Sequence, residues 1–361
     1  MSYIDRRAIG IVQKAFYTSA LTHREIVAIL SSNEYDDALF FHADLARKTR
    51  NGNDVHLKGL LEFSNICVRN CYYCGLRRQN KSLKRYALKP EAIAELARKA
   101  IAYGYKTIVL QSGESGAYKL DEFCEVIRSI REAGAHVTLS LGEKSEEEYA
   151  AYKEAGANRY LLRIETTNAR LYKKLHPSMS HQNRFDCLKT LRKLGYETGS
   201  GSLVGLPDQT ISSIADDILF FKESDFDMIG IGPFIPNEQT PLSKAPQGDF
   251  ILALKVMALV RLLLPMINIP ASTAMETLDR NGRIRALQSG ANVVMPVVTE
   301  GEYRRLYRLY PGKICLDDTP LHCRGCISGK IRAIGRGVST TNGDSVRFGD
   351  RLAAQAKRRS R

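Results

Sequence analysis

Short apolar runs alternate with longer amphipathic segments along the chain from about residue 56 onward. The longer segments repeat apolar residues at the spacing of one helix face, whereas the short runs end in small or polar residues. This alternation is typical of repeated strand–helix units and predicts a parallel sheet. The predicted strands are residues 57–63, 106–111, 136–141, 159–164, 201–205, 227–231, 269–273 and 292–296.

This number of strands favours an α/β fold closed into a TIM-type (β/α)8 barrel. An open doubly wound sheet is the alternative, but no G-x-G-x-x-G fingerprint follows the first strand. In a barrel, the chemistry belongs in the loops at the C-terminal ends of the strands. Polar residues follow the predicted strands there, including Ser112, Gly113, Glu114, Gly142, Glu143 and Glu165.

The rest of the chain divides around this barrel. Thr22 and Glu25 have the spacing of a capping box, and helical spacing without strand signals precedes the first strand. A basic run at the end follows a Gly/Ser/Asp-rich stretch, a composition that suits a solvated, disordered tail. The predicted units are a helical lead-in (1–50), the barrel (51–300), an extension closing the barrel and carrying cysteines (301–340), and the basic tail (341–361), which ends in Lys357, Arg358, Arg359 and Arg361.

Composition and charge narrow the function classes. The most apolar long stretch, residues 251–270, is interrupted by Lys255 and Arg261, so it predicts a buried helix and no membrane span. The first residues lack the apolar stretch of a secretory signal, so we expect a cytoplasmic protein. The formal charge of +14 is spread along the chain, which favours anionic partners in general and argues against a dedicated nucleic-acid surface.

Three cysteines, Cys67, Cys71 and Cys74, follow the first predicted strand with C-x3-C-x2-C spacing. Three thiolates can bind three irons of a 4Fe-4S cluster and leave the fourth iron open to a small molecule. A structural zinc site would need a fourth ligand, and the nearest candidate, His56, precedes its strand. The spacing therefore predicts an iron–sulfur cluster with one open iron.

This motif, with Tyr73 directly before its third cysteine, resembles the signature of the radical S-adenosylmethionine (SAM) superfamily. The resemblance extends to one family of that superfamily, the FeFe-hydrogenase maturases HydE, and runs from the N-terminal helices to about residue 326. It implies an enzyme that reductively cleaves SAM to a 5'-deoxyadenosyl radical. The stretches that carry it are EFSN, CGLRR, LKRY, TIVLQSGE, VTLSLGE, RYLLR, GYETGSGS, VGLP and DMIGIGPFIP.

The resemblance also implies roles for individual residues. It places Ser112 and Gly113 at the amino group of SAM, has Thr138 and Ser140 line the site, and has Glu165 and Arg184 bind the cofactor. A carboxylate suits a cationic sulfonium, and an arginine suits a carboxylate. The residues implied for the substrate are Arg159, Arg163, Met228, Ser272, Thr273, Tyr307 and Tyr310.

The same family implies the substrate and the partners. The substrate would be an iron–cyanide–carbonyl precursor bearing cysteine, on the way to the diiron subsite of the hydrogenase H-cluster. The partners would be other hydrogenase maturases and an electron donor such as flavodoxin or ferredoxin. One departure bears on the substrate: Ile164 stands where the family pattern has a histidine before the glutamate. Strand alternation predicts that Ile164 and Glu165 lie on opposite faces.

A second cysteine group, Cys315, Cys323 and Cys326, lies near the C-terminal end. It is suited to a second iron–sulfur cluster, 2Fe-2S or 4Fe-4S, or, with His322, to a zinc ion, and metal-free thiols are a further alternative. The family resemblance favours an accessory cluster. Cys124 and Cys187 have apolar neighbours and are interpreted as buried small residues, whereas His176 and His181 are interpreted as surface or capping residues.

Two other functions remain open from the sequence. One is a related radical SAM enzyme acting on an amino acid or small carboxylate, as in methylornithine synthases or biotin synthases, and the identity of the substrate would separate the two. The other is a zinc or iron–sulfur binding module that contacts RNA through its positive charge, which predicts steeply salt-dependent binding.

Overall fold

The computed structural model describes residues 6–359 of the chain, and the side chains of residues 9–354. The helices are α1 Arg6–Thr18, α2 His23–Ser31, α3 Asp36–Asn51, α4 Pro90–Ala102, α5 Leu120–Glu132, α6 Glu146–Glu154, α7 Ala169–Leu175, α8 His181–Lys193, α9 Ile211–Glu223, α10 Phe250–Leu263, α11 Thr273–Leu278, α12 Gly282–Gln288, α13 Glu302–Leu306, α14 Pro320–Ala333 and α15 Val346–Arg359. The strands are β1 His56–Leu57, β2 Gly59–Ser64, β3 Thr107–Ser112, β4 His136–Ser140, β5 Ala157–Leu161, β6 Glu197–Val204, β7 Met228–Pro233 and β8 Val293–Val294.

The strands form a parallel barrel, as the sequence predicts. β2 to β7 pair side by side in chain order, and β1 pairs with β8. Backbone hydrogen bonds close the ring beyond the named strands: Ile229 N donates to Asn268 O (3.0 Å), Ala271 N to Val293 O (2.8 Å) and Leu60 N to Pro296 O (2.8 Å). The helices after each strand cover the outside, so the loops at the C-terminal ends share one rim.

Residues 269–273 do not form the predicted seventh strand. The segment contributes one isolated bridge, between Pro270 and Val293, and α11 then begins at Thr273. Proline has no N–H to donate to a sheet, and serine is a preferred residue before a helix. Ser272 therefore stands at the N-cap of α11, still at the C-terminal rim of the barrel.

The N-terminal helices form the predicted lead-in. The Thr22–Glu25 capping box is present at the start of α2, where the Thr22 side chain accepts a hydrogen bond from Glu25 N. The apolar stretch that includes Lys255 forms α10, which is buried along most of its length. Among the residues described, no helix has the length and apolarity that crossing a lipid bilayer requires.

The end of the chain is ordered where its composition suggests disorder. Residues 342–345, here called the C-terminal plug, cover the N-terminal end of the barrel, and α15 follows them. Ser345 N donates to Glu197 Oε1 (2.9 Å), and Arg351 Nη2 binds Asp227 Oδ2 (2.6 Å). The side chains of the basic run at 357–361 lie outside the described residues.

Arg159 binds this plug and lies away from the cysteine loop. Its guanidinium pairs with Glu197 and Asp344, and donates to Thr107 Oγ1 (3.2 Å) and Asn342 O (3.1 Å). Arg159 is 1% exposed and is the middle residue of β5, and its contacts with Thr107 and Asp344 direct its side chain to the N-terminal half of the barrel interior. The structure therefore gives Arg159 a role in closing the barrel floor, at the opposite end from the predicted substrate site.

We expect the Arg159→Met variant to lose about 3–5 kcal/mol of unfolding free energy, because it leaves the Glu197 carboxylate buried without its partner. Denaturant unfolding of the purified protein under anaerobic conditions measures this loss. The matched control is Arg128→Met, which removes an exposed pair with Glu125 and should cost about 0–1 kcal/mol. Equal losses in the two variants would contradict the role of Arg159 in the floor.

Candidate active site and second cysteine group

The loop between β2 and α4 brings Cys67, Cys71 and Cys74 to the C-terminal rim of the barrel. Burial raises the pKa of Cys71 to about 12, and it also raises the pKa values of Cys67 and Cys74 above their ordinary range. Each thiolate would disfavour ionisation of its neighbours. Three adjacent thiols with such pKa values are suited to bind metal as thiolates, because a bound cation compensates their charge.

The spacing of these sulfur atoms fits a cluster better than a single ion. Thiolates on one zinc ion lie within about 4 Å of one another. Among the residues described, three potential ligands whose atoms all lie within 4.8 Å of one another are found in the second cysteine group. Cys67, Cys71 and Cys74 do not form such a trio. The first three cysteines are therefore more widely separated, as several irons require.

Arg85 folds the cysteine loop around itself. Its guanidinium is also close enough to Cys67 and Cys74 to interact with their charges. A fixed cation beside the thiolates would stabilise the negative charge of a bound cluster. The guanidinium donates to the carbonyl oxygens of Asn65 (2.7 Å), Leu76 (2.8 Å), Arg77 (2.7 Å) and Asn80 (3.1 Å).

Gly113 is required where the loop after β3 passes the cysteine loop. A Cβ atom at Gly113 would collide with the carbonyl oxygen of Ile66 and the Cβ atom of Cys67. Gly113 N donates to Ser64 O (3.0 Å), which holds the two loops together. The predicted residues Ser112 and Gly113 therefore lie directly beside the first cysteine.

Tyr73, between the second and third cysteines, is held by His176. The Tyr73 hydroxyl lies 2.7 Å from His176 Nε2, and His176 Nδ1 lies 3.0 Å from Tyr172 O. Since a carbonyl only accepts, Nδ1 donates and Nε2 accepts from the Tyr73 hydroxyl. Burial lowers the pKa of His176 to about 3, so the ring is neutral. Of the two alternatives that the sequence offers, surface or capping residue, the structure supports capping: His176 is the C-cap of α7, and its buried ring supports the cysteine loop.

An ion network joins the loops that follow β2, β3, β4 and β5. Arg69 Nε donates to Glu114 Oε1 (2.6 Å), and Arg69 Nη2 donates to Glu143 Oε2 (3.2 Å). On the other side, Arg184 Nε donates to Glu143 Oε1 (2.7 Å), and Arg184 Nη1 donates to Arg163 O (2.5 Å). Arg184, predicted to contact the cofactor, is buried and braces Glu143 and the end of β5.

Glu165 lies just beyond the end of β5 in a strained backbone conformation. Its φ of 65° is uncommon for a residue with a side chain, and such strain often marks functional positions. Glu165 N donates to Gly201 O (3.0 Å), and Asp217 accepts from Thr167 N and Thr167 Oγ1 (both 2.6 Å). These contacts fix the turn that carries Glu165.

Arg163 lies two residues before Glu165, beyond the end of β5, and its side chain lies next to that of Glu165. Its Nη2 is 3.1 Å from Glu165 Oε2, yet neither atom has a hydrogen-bond partner of good geometry. Burial raises the pKa of Glu165, while the charges of Arg163 and Arg184 oppose that shift. Ile164 packs in the main apolar core, on the opposite face, as alternation predicts.

The C-terminal half of the barrel interior is lined by buried polar atoms that lack partners in the protein. Buried polar groups are nearly always hydrogen-bonded, so such a group of free atoms indicates a ligand site. Gly230 and Gly232 of β7 form a neighbouring part of the wall. Because they have no side chains, they leave room for a ligand. The atoms without partners are Glu62 Oε2, Thr138 Oγ1, Arg163 Nε and Nη2, Glu165 Oε2 and Ser272 Oγ.

Residues after α13 cover the top of this interior. Tyr307 is buried between Gln111 and Lys313, and Lys313 forms a buried ion pair with Glu62. Tyr310 is close enough to Arg163 for their charges to interact. Because α13 ends at Leu306, the two tyrosines do not share a helix face, and both point to the barrel mouth instead.

The remaining predicted substrate residues lie at two depths. Met228 begins β7 and packs against Gly199, below the polar layer. Thr273 Oγ1 accepts from Arg283 Nη2 (3.4 Å), at the rim. Ser140 is half-buried at the end of β4, near the cofactor residues. Thr138 pairs in register with Arg159, in the middle of the barrel wall. Apart from Arg159, Met228 and Thr138, the predicted residues of the first site share the C-terminal end of the barrel.

The second cysteine group also gathers in space. Cys315 Sγ, Cys323 Sγ and a carboxylate oxygen of Asp318 all lie within 4.8 Å of one another. Cys326 is exposed and lines the same small cavity. His322 Nε2 lies 3.9 Å from Asp318 Oδ1 and is not part of the trio. The sequence suggests His322 as a ligand beside the cysteines, but the structure places Asp318 there instead.

Several residues of the site have no signal in the sequence. Glu114 and Glu143 follow strands, so the sequence suggests that they lie near the site. It does not indicate which arginines they pair with, because those arginines come from other segments. His176 and Lys313 reach the site from elements far along the chain. The unforeseen residues are Glu62, Arg69, Arg85, His176, Asp217, Arg283, Lys313 and Asp318.

Residues 61–221 match the model of the radical SAM superfamily. The chain is 53% identical to the [FeFe] hydrogenase maturase subunit HydE of Thermotoga maritima, and the match covers 87% of this chain and 91% of that one. It is 31% identical to a 3-methylornithine synthase of Methanosarcina acetivorans, covering 77% of this chain and 80% of the relative.

The fold also matches a solved structure. The crystal structure of methylornithine synthase superposes with a TM-score of 0.81 at 25% identity, covering 95% of this chain and 99% of the other. Nearly the whole of this chain is therefore covered by a fold of known structure.

Proposed function

The chain belongs to the HydE family of radical SAM enzymes, and from this membership we propose that it acts in maturation of the FeFe-hydrogenase diiron subsite. Its family cofactors are a 4Fe-4S cluster and SAM. The observation that carries the proposal is the pairing of a three-cysteine loop with a polar barrel interior, in which two buried nitrogens of the half-buried Arg163 lack hydrogen-bond partners.

Cys67, Cys71 and Cys74 would hold the cluster, with Arg85 beside two of them. When bound, the cluster and SAM together supply a one-electron cleavage that yields a 5'-deoxyadenosyl radical. The protein's part is to hold the reacting groups in place and to exclude water. The buried cysteine loop and the covering tyrosines provide that enclosure.

We assign SAM to the rim between the cysteine loop and Glu165. The carboxylate of Glu165 suits the cationic groups of SAM, and Ser112, Gly113, Thr138 and Ser140 would line the site. Arg184 would act by holding Glu143 and the end of β5, with its charge near the cofactor.

We assign the substrate to the interior below SAM. The proposed substrate is an anionic iron–cyanide–carbonyl precursor bearing cysteine, and the half-buried guanidinium of Arg163 would face it. Ser272 Oγ offers a hydrogen bond from one wall. Thr273, Tyr307 and Tyr310 would complete the mouth, and Met228 the apolar side.

The partners follow from this function. We propose that the chain acts with other hydrogenase maturases, one of which would deliver the precursor. A small acidic electron carrier such as a flavodoxin or ferredoxin would reduce the cluster, and the net charge of +14 favours association with such a carrier.

We also propose an accessory iron–sulfur cluster at Cys315, Cys323 and Cys326. Two of these thiols are held next to each other, and Arg304 Nη1 lies 3.7 Å from Cys323 Sγ. A positive group and adjacent thiols are the surroundings in which thiolates bind iron.

The reduced protein with SAM should convert the iron–cysteine precursor at least about 100-fold faster than lysine or dethiobiotin, because the interior pairs a fixed cation with an anion. Parallel incubations followed by chromatography for 5'-deoxyadenosine and for the products measure this ratio. The methylornithine synthase likeness supports the alternative, an amino-acid substrate. Turnover of an amino acid without the precursor would establish that alternative and contradict the maturase proposal.

A further inference from the structure

The second cysteine group contains a carboxylate at ligand distance. An oxygen of Asp318 lies within 4.8 Å of both Cys315 Sγ and Cys323 Sγ. Asp318 Oδ2 is 3.9 Å from Cys323 Sγ, a distance that a side-chain rotation of either residue can shorten. The carboxylate therefore occupies the position of a third ligand before any metal is bound.

The backbone holds this arrangement in place. Arg304 Nη1 donates to Cys315 O (2.9 Å) and also binds Asp318 O, which ties the two ends of the turn together. Thr319 caps α14 by accepting from His322 N (3.2 Å), so Cys323 and Cys326 follow on successive turns. Asp318 stands directly before that cap, and its side chain is directed toward the cysteines.

The cavity beside the cysteines has charged walls. It has a volume of about 40 Å³ and is lined by all three cysteines, by Asp318 and by charged residues. Two of these charged residues, Arg283 and Glu276, form a buried ion pair in the wall, with Arg283 Nε 3.0 Å from Glu276 Oε2. The cysteines and Asp318 therefore face one small polar cavity.

We propose that Asp318 is the fourth ligand of the accessory cluster, so that its ligands are Cys315, Cys323, Cys326 and one carboxylate oxygen. The inference rests on the accessory cluster proposed above. A carboxylate is a harder ligand than a thiolate and holds iron less tightly. One iron of the cluster is therefore oxygen-ligated and is the first iron to be lost to a chelator.

The test uses a full-length chain in which Cys67, Cys71 and Cys74 are replaced by alanine, so that iron reports on the second group alone. This chain is reconstituted anaerobically with labelled iron and sulfide, and its iron content and Mössbauer spectrum are measured. We expect Asp318→Ala to lose the oxygen-ligated iron or its separate spectral component. Asp318→Cys should keep the iron and give a spectrum with sulfur ligands only.

Asp317→Ala is the matched control. Asp317 is the neighbouring aspartate, pairs with Arg305 at the surface and is not part of the trio. Its replacement should leave iron content and spectrum unchanged. The same substitutions in the chain with all its cysteines give a second reading, because Asp318→Ala should remove only the accessory share of the iron.

Two outcomes distinguish the ligand role of Asp318 from the existence of the accessory cluster. An Asp318→Ala protein with the parent's iron content and spectrum overturns the ligand role of Asp318 and leaves the accessory cluster standing. A parent that binds no iron at the second group, in either background, overturns the accessory cluster and the inference together.

Discussion

The Cys71→Ala variant should produce at least about 1000-fold less 5'-deoxyadenosine than the unchanged protein, a loss of roughly 4 kcal/mol or more of transition-state stabilisation. Cys71 lies in the buried loop at the barrel rim, where thiols ionise with difficulty unless a metal is bound. With two thiolates left, the cluster cannot keep three irons ligated and one open. The measurement is anaerobic reconstitution, reduction, addition of SAM and chromatography.

The control for this variant is Cys124→Ala. Cys124 is more deeply buried than Cys71 and lies on α5 in the apolar core, away from the rim. Its replacement also removes one thiol and should leave 5'-deoxyadenosine formation within about twofold of the parent, because a buried cysteine there acts as a small apolar residue. Equal 5'-deoxyadenosine from Cys71→Ala and the parent would contradict the cluster assignment.

The barrel could be predicted because the βα alternation is a local pattern. Each strand is a short apolar run, and each run ends in residues that favour turns. The exception is residues 269–273, where Pro270 and Ser272 favour the end of a strand and the start of a helix. The hydrogen bonds that close the ring there involve single residues, which no periodicity records.

The position of a residue along its strand proved as informative as its face. Arg159 and Arg163 are four residues apart, so strand alternation predicts that both point into the barrel. Arg159 lies in the middle of β5 and reaches the C-terminal plug, whereas Arg163 lies beyond the end of β5, at the rim. A side chain at the C-terminal end is near the chemistry, and one at the other end stabilises the fold.

Residues that pair across long sequence separations could not be predicted. Arg69 meets Glu114 and Glu143, which are 45 and 74 positions away. The plug binds Arg159 from 185 positions away. Such pairs depend on which loops become neighbours in the barrel. The composition of residues 341–361 shows that they are polar, but it does not reveal that Asp344 pairs with Arg159 at the N-terminal end of the barrel.

We expect the Arg163→Met variant to convert the iron–cysteine precursor about 30 to 1000 times more slowly than the parent. Removing one partner of a desolvated charge interaction costs about 2–4 kcal/mol, and the half-buried Arg163 has two nitrogens, Nε and Nη2, without hydrogen-bond partners in the proposed substrate site. Product formation under single-turnover conditions and SAM binding by equilibrium dialysis are measured separately. SAM binding should change only a few-fold, whereas product formation should fall.

Arg159→Met provides the control, because it removes an arginine four residues earlier in the chain, from β5 itself. At a temperature where both variants are folded, Arg159→Met should form product at close to the parent's rate, since its partners lie in the barrel floor. Arg163→Lys keeps the charge but not the planar donor geometry, so it should recover part of the lost rate. If Arg163→Met and Arg159→Met lose product formation equally at matched folded fractions, the substrate is not bound by Arg163. A selective loss in Arg163→Met, partly restored by lysine, would locate the anion at the C-terminal end of β5.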